Sequence, residues 1–192
     1  MSTTLQRIAY SPLWLLLHSV ALLPFGALYA LSDALAWVAA SVVRYRRRLV
    51  EANIAAAFPD KTEADRRAIV KRFYRNFTDV FVETIKLLHI SDDEMRRRMV
   101  FEDIEHVERI AKDGRSIGLY CSHFGNWEWI TSITLWVYRA DNVEYSQVYR
   151  PLRNKWFDRF WFNLRKRFHS TSIPKNGVLR ALVQSGHNGG VF

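Results

Sequence analysis

His123 is followed five residues later by a carboxylate, Glu128, and His89 by Glu94 at the same spacing. A carboxylate beside one imidazole nitrogen fixes the tautomer and stabilises the imidazolium, which leaves the other nitrogen as a base. Such a dyad suits removal of a proton from a hydroxyl as it attacks an ester or thioester. The spacing alone is weak, because 19 of the 192 residues are acidic. Context separates the two pairs. His89 ends an amphipathic helical pattern, and Glu94 completes a capping box opened by Ser91, so that pair has a structural explanation. His123 instead follows the apolar run from Ser116 to Ser122, which reads as a buried parallel strand. Open α/β sheets take their ligands at the carboxyl ends of strands. Gly125 permits a tight turn, Asn126 can cap the next helix, and Glu128 falls in that helix's first turn, able to fold back toward His123. The same residues also suit a capped helix beside a core histidine, and residue physics leaves both readings open. Cys121, the sole cysteine, reads as a buried strand residue.

The elements needed to hold this constellation follow from periodicity. Helices are expected over Glu51–Phe58, stopped by Pro59, and over a long amphipathic stretch after Thr62 and Asp65. In that stretch Ile69, Val70, Phe73, Phe77, Val80, Phe81, Ile85 and Leu88 mark the apolar face. Phe101–Ile104 reads as a short strand, and Glu105–Lys112 as a helix ended by Gly114. A helix from Trp127 to Tyr138, a strand over residues 143–149, and helices over Trp156–Phe168 and Gly177–Gln184 complete the pattern. Alternating strands and helices predict an α/β domain with a mostly parallel sheet flanked by helices. The final Gly189-Gly190-Val191-Phe192 reads as a strand just starting, which suggests a chain truncated at its C-terminal end.

Ahead of this domain, Ser11–Leu31 contains no charged residue, although His18 and Pro24 interrupt it. Ser32-Asp33 reads as the cap of a second apolar helix reaching Val43. Residues 1–43 are therefore expected to form a helical membrane anchor, as a full span or a deeply seated interfacial hairpin. A buried helical hairpin of a soluble protein is the other reading. Residues 44–192 are expected to form the N-terminal part of a second, folded domain. Arg44, Arg46, Arg47 and Arg48 follow the anchor and predict a cytoplasmic placement for the rest of the chain; a solvated helix start is the plain alternative.

The formal net charge is +9. That favours an anionic membrane surface, a phosphorylated lipid, an acidic carrier protein or nucleic acid. No nucleic-acid motif accompanies the basic stretch from Arg150 to Arg167, so nucleic acid is not expected as a partner. No Cys/His cluster points to a metal, and one cysteine excludes an intrachain disulfide. Trp127, Trp129, Trp136, Trp156 and Trp161 fit core or rim positions, or the wall of an acyl groove.

Ser122-His123-Phe124-Gly125-Asn126-Trp127-Glu128 resembles the H-x4-D/E motif of glycerolipid acyltransferases. In its narrower form it is similar to the lauroyl/myristoyl acyltransferases of lipid A biosynthesis. Val148-Tyr149-Arg150-Pro151-Leu152-Arg153-Asn154 resembles that family's Arg-Pro-x-x-Asn block. Lys166-Arg167-Phe168, Ile173-Pro174-Lys175 and Arg180-Ala181-Leu182 resemble a third block, with His169 where the family usually carries glycine. The Asn53 to Pro59 segment fits as well. The family continues into an Asp-Gln motif beyond the residues present here.

The resemblance implies a glycerolipid-acyltransferase-like fold and secondary acylation of a lipid A precursor. The donor would be an acyl carrier protein thioester rather than acyl-CoA, and the acceptor a hydroxyl of a phosphorylated glycolipid. No separate cofactor is implied. His123 would be the general base and Glu128 its orienting carboxylate. Arg150 would bind phosphate or the oxyanion, or else form an ordinary turn ion pair. Asn126, Asn154 and Arg167 are further candidates for substrate binding. The implied location is the inner membrane, with the catalytic domain on the cytoplasmic side. The alternatives are an acyltransferase for another glycolipid, phospholipid or aminolipid, or a catalytically silent lipid-binding protein of the same fold.

Overall fold

The computed structural model describes residues 3–137, 144–185 and 190–191. The chain divides into two compact units, Leu16–Lys86 on one hand and Met1–Leu15 with Leu87–Phe192 on the other.

The apolar N-terminal run is broken at Pro24, although Pro12 is accommodated inside the first helix. Helix α1 covers Thr3–Leu22 and α2 covers Phe25–Trp37, with Pro24 as the N-cap of α2. Proline has no N–H to continue a helix ladder, so the expected single helix over Ser11–Leu31 is two. A turn of π-helix, Val38–Val42, prolongs α2. Together Phe25–Val42 is the one helix among the described residues long and apolar enough to cross a membrane by length and composition. Ser32 and Asp33 therefore lie inside α2 and do not cap a second helix.

The next two helices are α3, Arg47–Ala57, and α4, Glu63–Lys86. The α4 cap is the expected one: Thr62 Oγ1 accepts from Asp65 N at 3.2 Å and donates to its carboxylate at 2.7 Å. That hydrogen bond holds the exposed Asp65 carboxyl below its usual range.

The face that α4 buries matches the expected one only in part: Ile69 and Val70 pack against the core around Tyr74, but the most deeply buried residues are others. Tyr74, Thr78, Val82 and Thr84 are buried, while Phe73 and Phe81 are 40% and 49% exposed. The cause is the stripe that α2 presents. Tyr29, Ser32 and Asp33 share one side of α2, three and four residues apart. Tyr29 donates to Glu83 at 2.8 Å, and Ser32 Oγ donates to Asp79 at 2.6 Å and lies 2.9 Å from Thr78 Oγ1. Asp33 takes a fork from Arg75 at 2.7 and 3.0 Å. Buried hydroxyls need such partners, so the hydroxyl side of α4 docks on α2 and its phenylalanines turn outward. They line up with Tyr45 as an aromatic row, Tyr45–Phe77, Phe73–Phe77 and Phe77–Phe81. At the far end, the buried Lys86 ammonium donates to the carbonyls of Ala21 at 2.9 Å and Leu23 at 2.7 Å, where α1 leaves its last carbonyls unmatched.

In the other unit, α5 covers Asp92–Arg98 and α6 covers Ile104–Lys112. Ser91 caps α5 by accepting from Glu94 N at 3.1 Å, and Gly114 leaves α6 at φ +70°. Phe101, expected in a strand, precedes α6 in non-helical backbone and packs on the core instead. A 3-10 helix, Trp127–Leu135, follows the loop that carries His123. The expected end of that helix at Tyr138 and the expected strand start at residue 143 lie outside the described residues.

The sheet contains β1, Glu144–Tyr149, β2, Thr171–Pro174, and β3, Gly190–Val191, in the order β2-β1-β3. Both pairings are parallel, with Ser146 opposite Thr171, Tyr149 opposite Pro174 and Glu144 opposite Gly190. Helix α7, Lys155–Arg165, connects β1 to β2, and α8, Val178–Ser185, connects β2 to β3. Parallel neighbours need such crossovers, which is the expected α/β pattern on a small, three-stranded scale. Strand β2 falls where the sequence showed only family-like residues, and Gly189 and Phe192 lie outside the described residues.

The run from Ser116 to Ser122 does not form the expected strand. Apart from an isolated bridge at Ile117 its backbone is irregular. Ile117 and Leu119 pack beside Ile133, Val137 and Tyr145, whereas Gly118, Tyr120 and Cys121 are exposed. Only alternate residues find a core, so the run is covered on one side rather than two.

Candidate active site

The residues from Ser116 to Leu182 enclose a cavity of about 1010 Å³. The central strand β1 lines it from Tyr145 to Tyr149, followed by Arg150. His123, Trp127 and Glu128 contribute from the loop and the 3-10 helix, and Trp161 and Arg165 from α7. Ile130, Ile133, Leu152 and Leu182 supply apolar wall. A cavity of that size with mostly apolar walls and a few converging polar groups fits a large lipid-like ligand.

The His123 side chain is exposed, and its ring lies 4.8 Å from that of Trp127, centroid to centroid. Glu128 does not fold onto His123. Both its oxygens are engaged by Arg165, Nη2 to Oε1 at 2.7 Å and Nε to Oε2 at 2.9 Å. The two side chains are 13% and 19% exposed, so this is a largely sequestered fork-to-fork ion pair. Arg165 also lies with its guanidinium carbon 5.9 Å from the centre of the Tyr149 ring. The dyad expected from spacing is thus a His–Trp contact beside a Glu–Arg pair. A permanent, planar cation presented by α7 outcompetes an exposed imidazole for the carboxylate.

Arg150 is set on a turn that is held at both ends. Leu152 N donates to Asp158 Oδ1 at 2.7 Å. Asn154 Oδ1 accepts from the backbone of Trp156 and Phe157 at 3.0 and 3.3 Å, capping α7. The Asn154 amide also donates to Tyr10 Oη at 2.8 Å, and the Tyr10 ring stacks on Trp156 at 4.7 Å. Asn154 therefore positions the turn and is absent from the cavity wall. Asn126 occupies the N-cap position of the 3-10 helix without a side-chain cap bond, contrary to the expected cap.

Arg167 points elsewhere too. It donates to the Ile90 carbonyl at 2.9 Å and to Asp92 at 3.1 Å. Of the basic pair at the end of α7 it was Arg165, not Arg167, that needed to be singled out. Arg165 lies on the α7 face that also carries Trp161, one turn earlier, and that spacing was the available signal. His169 adopts φ +63°, a left-handed conformation that glycine enters without penalty. This accounts for the glycine usual at that position in the resembled family. In the second His–acid pair the expected Ser91 cap is formed, while the Glu94 carboxylate is ion-paired to Arg97 and Arg98, and these bonds, that to Arg97 first, hold its carboxyl below the usual range. Among the described residues no three metal-ligating side chains converge.

The match of the chain to known proteins agrees with this geometry. Residues 3–192 match the family described as bacterial lipid A biosynthesis acyltransferase. The chain belongs to that family. It is 24% identical over 164 residues to a lipid A biosynthesis acyltransferase of Haemophilus influenzae, covering 83% of this chain and 50% of that protein. It is 21% identical over 144 residues to the lipid A biosynthesis myristoyltransferase of Escherichia coli K12, covering 75% of this chain and 43% of that protein. The lipid A biosynthesis lauroyltransferase of the same strain is 27% identical over 126 residues, covering 64% of this chain and 41% of that protein. The chain thus spans half or less of the length of these curated relatives. In this member of the lipid A acyltransferase family, three of the six candidate residues, His123, Glu128 and Arg150, share one cavity.

Cys121 also lines that cavity and is exposed, against the expectation of a buried strand cysteine. A thiol reagent applied to the native protein should label Cys121 at about the rate of an open thiol, located by peptide mass spectrometry. Labelling only after denaturation would contradict the placement of this loop.

Proposed function

We propose that the protein containing this chain transfers a fatty acyl group from an acyl carrier protein thioester to a hydroxyl of a lipid A precursor. The observation that carries the reading is the convergence of His123, Glu128 and Arg150 on a mostly apolar cavity along β1. His123 takes the proton of the acceptor hydroxyl as its oxygen attacks the thioester carbonyl. Arg150 stabilises the oxyanion or a phosphate of the acceptor. Collapse of the tetrahedral intermediate forms the ester and expels the carrier thiolate, which recovers the proton from His123. Glu128 supports the imidazolium, and Ile130, Ile133 and Leu182 accompany the acyl chain.

Membrane attachment through α2 belongs to the same proposal. Leu35, Trp37, Val38 and Val42 are 44%, 63%, 37% and 62% exposed along the one helix of spanning length. The exposed Arg44, Arg46 and Arg48 follow it and favour a cytoplasmic catalytic domain at the inner membrane. One observation favours the second reading, a silent lipid-binding protein: Glu128 has both oxygens on Arg165.

Replacing His123 with Ala in the full-length protein should lower acyl transfer from an acyl carrier protein donor about 10²-fold or more, with lipid binding intact. Transfer within a few-fold of wild type would favour the silent reading. For attachment, the informative change is serine at Leu35, Trp37, Val38 and Val42 together. Deleting α2 would strip α4 of its hydrogen-bond partners, whereas these four changes leave Tyr29, Ser32 and Asp33 in place. Each large side chain contributes about 1.5–3 kcal/mol when buried in an apolar phase, so the variant should become salt-extractable. Salt-resistant attachment equal to wild type would show that the anchor lies elsewhere.

A further inference from the structure

We propose that Arg165 is a positioning residue for acyl transfer, acting on His123 through Glu128. The inference rests on the acyl-transfer reading above and adds a residue to it. Glu128 and Arg165 come from different elements, the 3-10 helix after the His123 loop and the last turn of α7. Their fork closes at 2.7 and 2.9 Å with both side chains largely out of water. A bidentate fork fixes the plane of the carboxylate, which a single contact does not. An ionised carboxylate has about four lone-pair sites, so the fork leaves sites free to accept an imidazole N–H. Glu128 can thus hold Arg165 and, once substrate draws the His123 ring inward, His123 as well.

Arg165 is itself firmly placed. Its backbone carbonyl accepts from the buried Ser170 Oγ at 2.7 Å, and its guanidinium faces Tyr149. Arg167 cannot substitute, being committed to Ile90 and Asp92. Without the guanidinium, Glu128 is a sequestered charge lacking its partner, and such a group turns to solvent or takes up a proton. Either change removes the acceptor that would set the imidazole tautomer. Arg165 touches no reacting atom in this scheme, so its effect falls on turnover rather than on substrate affinity.

The test is steady-state transfer by the full-length Arg165→Lys protein with an acyl carrier protein donor, alongside His123→Ala and thermal melting. Lysine keeps the charge and loses the fork. The expected result is a kcat about tenfold lower or less, KM for both substrates within about twofold of wild type, and a melting temperature lowered by a few degrees. A wild-type kcat overturns the proposal, and so does a raised KM at unchanged kcat, which would make Arg165 a substrate ligand. If Arg165→Lys does not fold, Arg165→Gln decides, since its amide can still donate to Glu128 but not as a fork: a lowered kcat at unchanged KM supports the positioning role, and a wild-type kcat overturns it. Retained transfer in His123→Ala sinks the acyl-transfer reading itself, whereas loss there with wild-type kcat in Arg165→Lys sinks only the role of Arg165.

Discussion

The ion pair between Glu128 and Arg165 joins the segment that follows His123 to the helix that follows Arg150. Each partner is mostly sequestered, so neither could stay in place without the other. The cavity walls depend on that link. Trp127 in contact with the His123 ring, Trp161 and Arg165 of α7, and Tyr149 of β1 all line the cavity. The turn from Arg150 to Asn154 completes the frame, because Asp158 and the Asn154 cap hold it at both ends. Charge pairing here organises a site that apolar packing alone would leave open. An apolar cluster in this unit, Ile133, Val137 and Tyr145, takes Ile117 and Leu119 from the stretch before His123 and contributes Ile133 and Tyr145 to the cavity wall.

A second constraint of the same kind shapes the Leu16–Lys86 unit. A helix as apolar as α2 would ordinarily bury its greasiest face, yet its packed side carries Tyr29, Ser32 and Asp33. Hydroxyls and carboxylates must find partners wherever they are buried, and α4 supplies them in register. The consequence is that Leu35, Trp37, Val38 and Val42 stay outside along α2 and its π-helical extension, and Phe73 and Phe81 on α4, while Leu28 and Ala36 are buried beside Ser32. That inside-out distribution suits a surface in contact with lipid, and it explains how one unit can be well packed and still present wide apolar faces.

Much of this was legible in the sequence because it rests on local chemistry. The Thr62–Asp65 and Ser91–Glu94 caps, the stop at Gly114 and the succession of β1, α7 and α8 follow from neighbours within a few residues, whereas β2 between the two helices left no such signal. The motif around His123 identified the cavity wall, and Arg150 its opposite edge. What escaped reading depended on distant partners. The strand expected over Ser116–Ser122 looked apolar enough, but only Ile117 and Leu119 meet the core, so Cys121 is exposed. The phenylalanines of α4 obeyed helical spacing while the docked face was chosen by α2. Glu128 was within reach of His123 along the chain, and the winning partner lay 37 residues away on another helix. Asn154 and Arg167 matched family-like blocks, and their observed contacts are with the α7 cap, Tyr10, Ile90 and Asp92.

The central claim is that the exposed His123 imidazole, at the rim of this cavity, is the base that the acyl-transfer chemistry requires. Carbethoxylation of histidines with diethyl pyrocarbonate, mapped by mass spectrometry and followed against residual transfer, tests it most directly. Activity should fall in proportion to modification of His123, independently of modification at His89, and an acyl carrier protein donor should slow both together. Full transfer by protein whose His123 is completely modified would contradict the account.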